Sequence, residues 1–156
     1  MAEVQKLLQS LQQYIGFLSE LETLNKLEWT SPMEQGKWAV RDVISHIMMW
    51  DKNFLLKVIP QINNGQTPVL AEEEDVQGFN QRAKEYGELL TKEQLLEEAI
   101  NARQELLIQL EGLPVGAFDE EVPQQGGYTL NMFLAEMFVS HDTHHEKQIK
   151  SYLEEQ

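Results

Sequence analysis

The chain has 156 residues, 42% of them hydrophobic, a formal net charge of −14 and no cysteine. Its length suits one domain, 1–156, with a sizeable core, and its composition is that of a globular chain. The acidic balance argues against nucleic acid and against an anionic membrane surface as partners, since both call for clustered Lys and Arg. Without cysteine there are no disulfides, thiolate ligands or cysteine nucleophile.

Val4, Leu7, Leu11, Tyr14, Leu18 and Leu21 recur at steps of three and four and predict an amphipathic helix from about Ala2 to Leu27. Trp29 to Lys37, with Thr30-Ser31-Pro32 and Gly36, reads as a loop. A second helix is expected from near Ala39, carrying Val40, Val43, Ile44, Ile47, Trp50, Phe54, Leu55 and Val58, and ending at Pro60. His46 lies mid-helix, roughly aligned with Val43 and Trp50. Gln61 to Val69 is turn-rich. The acidic run Glu72-Glu73-Glu74-Asp75 suits a helix amino terminus, where carboxylates meet unpaired N–H groups. The helix that follows would carry Val76, Phe79, Ala83 and Tyr86 and stop near Gly87.

Thr91-Lys92-Glu93-Gln94 has the capping-box pattern and predicts a long helix to about Glu111, with Leu95, Ala99, Ala102, Leu106 and Leu110 on one face. Gly112 and Pro114 close it. Leu113 to Tyr128 is long for a bundle connection and suits a loop covering a site. Thr129 can cap the last helix. No strand pattern, internal repeat or nucleotide-binding glycine loop is present, so the expected fold is all-α: a four-helix bundle with one shorter inserted helix. No run of about 18 apolar residues occurs and the amino terminus lacks a signal-peptide pattern, which makes the cytoplasm the default location.

Three of the four histidines fall in the last helix. At about 100° per residue, Leu130, Leu134, Met137, Phe138, His141, His145 and Tyr152 share one stripe, with His144 at its edge. Imidazoles continuing an apolar seam must have their nitrogens satisfied. His141 and His145, one turn apart, can offer two lone pairs to one metal ion, and His46 is the obvious third ligand from another helix. A tripod of three protein ligands leaves a position open, as catalytic sites do. Asp142 and Glu146 flank these ligands as candidate orienting groups, their plainer role being solvated helix charges. A ferritin-like di-iron site fails for want of a second Glu-x-x-His, and a zincin reading has Asp142 where Glu is needed. The remaining rival is that the histidines are core residues of an interaction module.

Gly36-Lys37-Trp38-Ala39-Val40-Arg41-Asp42-Val43-Ile44-Ser45-His46-Ile47, followed by Trp50-Asp51, resembles the helix-two signature of the DinB-like superfamily. His141-Asp142-Thr143-His144-His145-Glu146-Lys147-Gln148-Ile149 resembles its last-helix signature. The resemblance covers essentially the whole chain and implies a four-helix bundle binding one divalent ion, often nickel or zinc, through His46, His141 and His145. His144 falls beside the pattern. Ala39 stands where the family often has a capping Ser or Thr, and Glu146-Lys147 where Arg-Gly is usual. Members similar to this chain couple low-molecular-weight thiols to electrophiles, isomerise maleylpyruvate-like substrates or inactivate a genotoxin. The expected activity is therefore metal-dependent transfer of a low-molecular-weight thiol to a small electrophile in detoxification or stress response. A metal-dependent hydrolase is the alternative, and a non-catalytic stress or interaction protein with a structural metal is a third possibility. A homodimer fits the resemblance.

Overall fold

Helix α1 (Ala2–Glu20) buries Leu7, Leu11, Tyr14, Phe17 and Leu18 along one face, following the helical spacing of its apolar residues. The computed structural model describes residues 2–66, 76–114, 116–121 and 128–156. The first helix is shorter than its sequence pattern predicts. A 3₁₀ turn at Leu21–Thr23 follows it, and Asn25 begins a separate helix, α2 (Lys26–Thr30). The cause is a reciprocal cap. The Asn25 side-chain oxygen accepts from the Glu28 N–H, and the Glu28 carboxylate accepts from the Asn25 N–H, each at 2.9 Å. This local bonding outcompetes continuation of the helix. As a result Trp29, expected in a loop, is carried into the core.

Helix α3 (Val40–Asn53) starts where predicted. Alanine offers no capping oxygen, and Asp42 compensates by accepting from the Ala39 N–H at 3.0 Å. Pro60 does not end the helix. The chain passes through a π turn, Phe54–Val58, into α4 (Ile59–Asn63), which has Pro60 in its first turn. A widened turn before a proline eases the clash between its ring and the preceding carbonyl, and at a helix start the missing N–H costs nothing. The acidic run Glu72-Glu73-Glu74-Asp75 lies outside the described residues.

Helix α5 (Val76–Glu88) packs on α3. Helix α6 (Lys92–Glu111) opens with the predicted capping box: the Thr91 hydroxyl accepts from the Gln94 N–H at 3.1 Å, and the Gln94 side chain from the Thr91 N–H at 3.0 Å. It buries Leu95, Ala99, Ala102, Leu106 and Leu110, as its periodicity predicts. The following connection, described only in part, includes a 3₁₀ turn at Ala117–Asp119 that seats Phe118 in the core. Thr129 caps α7 (Leu130–Leu134), and a second π turn, Ala135–Val139, leads into α8 (Ser140–Glu154).

The sum is the expected all-α four-helix bundle: α1, α3–α4, α6 and α7–α8, with α5 as the shorter insertion. Among the described residues the only extended pairings are two isolated bridges, Pro32 with Ala39 and Glu121 with Thr129. The π turn in the last helix alters the predicted stripe. The extra residue shifts the helical phase, so Met137 is exposed while Phe138, Asp142 and Ile149 are buried.

The core is two apolar clusters. One gathers Phe17, Leu18, Val43, Ile47, Leu95, Ala99 and Ile149, the other Leu7, Phe54, Leu106, Leu110, Leu134 and Phe138. Between them on α6 sits Arg103, fully buried. Its guanidinium donates to Asp51 at 2.8 and 3.0 Å, to Asp142 at 2.7 and 3.3 Å, and to the Leu11 carbonyl at 3.0 Å, and its face lies over the Tyr14 ring. Every long helix of the bundle contributes to this polar layer. Burial alone would lower the Arg103 pKa, but the two carboxylates overcome it and keep the guanidinium charged. Burial pushes the Asp142 carboxyl up to about 6, only partly opposed by Arg103, because one cation is shared between two anions.

Close approach of α5 to α3 depends on Gly87. A Cβ there would lie 2.7 Å from the Cβ of Ser45, whose hydroxyl donates to the Ala83 carbonyl. Gly87→Ala is therefore expected to destabilise the protein by about 1–3 kcal/mol, read as a lower denaturation midpoint in urea. An unchanged midpoint would mean that the two helices are not held at this distance.

Candidate metal centre

His46 reaches the site from α3, and His141 and His145 from successive turns of α8. Their Nε2 atoms converge. Nε2 of His141 lies 3.0 Å from Nε2 of His46 and 3.0 Å from Nε2 of His145, and one nitrogen from each ring falls within 4.8 Å of the others. His46 is buried and the other two rings are half-buried. The three histidines singled out in the sequence are thus brought together. His144 is not among them: it is exposed, with its ring 5.1 Å from that of His145.

The far side of two rings is fixed by amide oxygens. Nδ1 of His46 is 2.8 Å from Oδ1 of Asn80, which also accepts from the Trp50 indole N–H at 3.0 Å. Nδ1 of His145 is 2.9 Å from Oε1 of Gln148. A carbonyl oxygen only accepts, so both Nδ1 atoms carry the proton and both Nε2 atoms present lone pairs inward. Trp38 stands against His46 with ring centres 5.1 Å apart, and Trp50 stacks on Phe79 at 4.1 Å.

Lone pairs at 3.0 Å from one another repel unless a proton or a cation lies between them. With metal–nitrogen bonds of ~2.0–2.1 Å, ligands are about 2.9 Å apart at right angles and about 3.3 Å apart in a tetrahedron. The two spacings of 3.0 Å are of the size found between ligands of one ion, and imidazole is a suitable donor for zinc and nickel alike. Among the described residues no carboxylate joins the cluster. These three side chains could hold a divalent ion.

Asp142 is placed differently from either sequence expectation, whereas Glu146 makes no hydrogen bond to a histidine. Asp142 is neither solvated nor bonded to a histidine, but turned into the core against Arg103. Glu146 is half-buried, its pKa raised by burial. The groups that orient the rings, Asn80 and Gln148, went unrecognised. Gln148 sits three residues after His145, where a helical side chain can reach back, so its spacing was a usable signal. Asn80 had none, since its helix meets α3 only in the folded chain.

Burial disfavours the charged imidazolium. It lowers the His46 pKa to about 4, opposed by the Asn80 hydrogen bond, and that of His141 to about 3, aided by the neighbouring histidines. His145 is lowered by the same desolvation. Folded values below the unfolded value of about 6.5 mean that these groups stabilise the metal-free protein fully above that pH, and that the contribution is lost as pH falls toward 4. In ¹⁵N NMR spectra of metal-free protein at pH 5.5, His46 should remain neutral with the proton on Nδ1. Protonated His46 at that pH would contradict the burial argument.

A model of the DinB superfamily matches residues 3–149. No match to this sequence was found among functionally curated proteins. Among solved structures, the colibactin self-resistance protein ClbS, in complex with a double-stranded DNA, superposes with a TM-score of 0.78 at 16% identity, covering 96% of this chain and 94% of that one. YfiT from Bacillus subtilis, described as a probable metal-dependent hydrolase with an unusual four-helix bundle topology, superposes with a TM-score of 0.74 at 19% identity, covering 96% and 85%. The ClbS complex corrects one expectation. An acidic net charge does not exclude nucleic acid as a partner for this fold, because net charge sums the whole surface whereas contact with phosphate depends on local cations. No helix among the described residues is long and apolar enough to cross a membrane. The match over nearly its full length, together with the bundle and its histidine cluster, establishes that the chain belongs to the DinB superfamily.

Proposed function

We propose that His46, His141 and His145 hold one divalent ion, nickel or zinc, and that the protein is a metal-dependent enzyme transferring a low-molecular-weight thiol to a small electrophile. The observation that carries this reading is the convergence of three Nε2 atoms, two of them on rings locked from behind by Asn80 and Gln148. Such outer hydrogen bonds fix ring orientation and tautomer, which suits a resident metal better than a core packing role. When bound, the ion supplies Lewis acidity, which lowers the pKa of a thiol or water it binds.

The chain's own residues favour a nucleophile that needs no protein base. Asp142 is committed to Arg103, His144 is exposed and outside the ligand cluster, and there is no cysteine. The role of the protein is then to orient the imidazoles, to keep them neutral and to wall the site with Trp38. Hydrolysis is the second reading, favoured by the description of YfiT as a probable metal-dependent hydrolase on the same fold. A detoxification or stress role in the cytoplasm, and a homodimer, go with the first.

Elemental mass spectrometry on untagged protein should find about one ion per chain, lost in His46→Ala, His141→Ala and His145→Ala but retained in His144→Ala. Conjugation of thiols to a panel of electrophiles should disappear on chelation and return with added metal. Metal-free parent protein that stays so after exposure to nickel or zinc would return the histidines to the core. Metal-dependent turnover without any thiol would favour hydrolysis.

A further inference from the structure

The proposed ligands come from two helices that pack on each other less extensively than α3 packs on α5 and α6. What sets their relative position is not the histidines but the layer behind them. Asp51 lies five residues beyond His46 on α3, and Asp142 adjoins His141 on α8. Both carboxylates are buried, and both are gripped by the single guanidinium of Arg103 on α6, Asp51 through Nε and Nη2 and Asp142 through Nη1 and Nη2. A guanidinium is planar and rigid, so two carboxylates bound along its edges have a fixed separation and angle. The Leu11 carbonyl accepts from Nη1 and the Tyr14 ring lies against the guanidinium face, which leaves the fork no alternative pose.

We infer that Arg103, whose hydrogen bonds go to Asp51, Asp142 and the Leu11 carbonyl and not to the histidines, is a positioning residue for them: the Asp51–Arg103–Asp142 brace sets the distance between the His46 helix and the His141/His145 helix, and through it the affinity and geometry of the metal site. This rests on the metal reading above. The brace acts through helix placement. A lysine in place of Arg103 keeps the charge but binds as a point, without the two-edged fork. Asparagine at Asp51 keeps the shape but weakens one arm.

The test compares Arg103→Lys and Asp51→Asn with parent protein and with Leu110→Ala, a cavity in the apolar cluster at a side chain that is neither a donor nor an acceptor of the brace. Circular dichroism and thermal melts establish folding. Competition with a chromophoric chelator gives the zinc and nickel affinities, and the visible absorption of the cobalt-substituted protein reports site geometry. Loss of a group hydrogen-bonded to a ligand commonly weakens metal binding 10–100-fold, and the brace, one step farther out, is expected at the lower end of that range. Both brace variants should therefore bind about tenfold more weakly or worse and show shifted cobalt bands. Leu110→Ala should melt earlier yet keep the parental affinity and spectrum. If Arg103→Lys does not fold, Asp51→Asn, which retains the contact with Asp142, decides the matter. Folded brace variants with parental affinity and spectrum would overturn the inference, as would an equal loss in Leu110→Ala, which would trace the effect to stability alone. Parent protein that binds no metal would overturn the metal reading itself, a separate result.

Discussion

A single guanidinium holds the middle of this bundle. Arg103 is fully buried, and each of the four long helices supplies something to it: the Leu11 carbonyl and Tyr14 ring from α1, Asp51 from α3, its own backbone from α6 and Asp142 from α8. Removing one partner from such a cluster is costly, about 3–5 kcal/mol, because it strands a buried charge. An apolar replacement of the whole cluster could be as stable. What the ions add is direction: a hydrophobic layer tolerates a helix sliding or rotating by a fraction of a turn, whereas a forked donor between two carboxylates does not. The apolar clusters above and below supply bulk stabilisation, and the polar layer specifies register.

Register matters because the histidines are useful only at a separation of about 3 Å. Each helix brings side chains that are ordinary by themselves. Their chemistry arises from being oriented together: amide oxygens dictate which nitrogen carries a proton, burial keeps the rings neutral, and Trp38 closes one side. On the proposed reading, a site assembled in this way would take a cation at neutral pH without spending a carboxylate on binding it. A dication held by three neutral ligands retains its full charge, which makes it a strong Lewis acid toward whatever occupies the remaining position.

The two π turns belong to the same logic. Phe54 and Phe138, each within one of them, meet edge to face with ring centres 5.5 Å apart. One turn lets α3 continue through Pro60, and the other rephases the last helix so that Asp142 enters the core beside a half-buried His141. An uninterrupted helix would keep Met137 on the apolar stripe and turn Asp142 away from it. Widened turns of this kind are frequent where function constrains a helix.

Much of the architecture was legible in the chain alone. The three-and-four spacing of apolar residues identified the long helices, Thr91-Lys92-Glu93-Gln94 and Thr129 marked two of their starts, and His46, His141 and His145 stood out as polar residues on apolar faces. These features are local, and short-range sterics and hydrogen bonding decide them. The short helix capped by Asn25, the passage through Pro60 and the inward turn of Asp142 were not read correctly, because each depends on a competition between local bonds and packing whose outcome periodicity does not reveal. Asn80 and Arg103 could not be assigned at all. Their partners lie 30 to 92 positions away in the chain, and only the closing of the bundle brings an amide to an imidazole or a guanidinium to two carboxylates. The sequence by itself determined which long helices form and which histidines face inward. The tertiary structure alone decided what orients those histidines, since orientation depends on groups that become neighbours only when the helices pack.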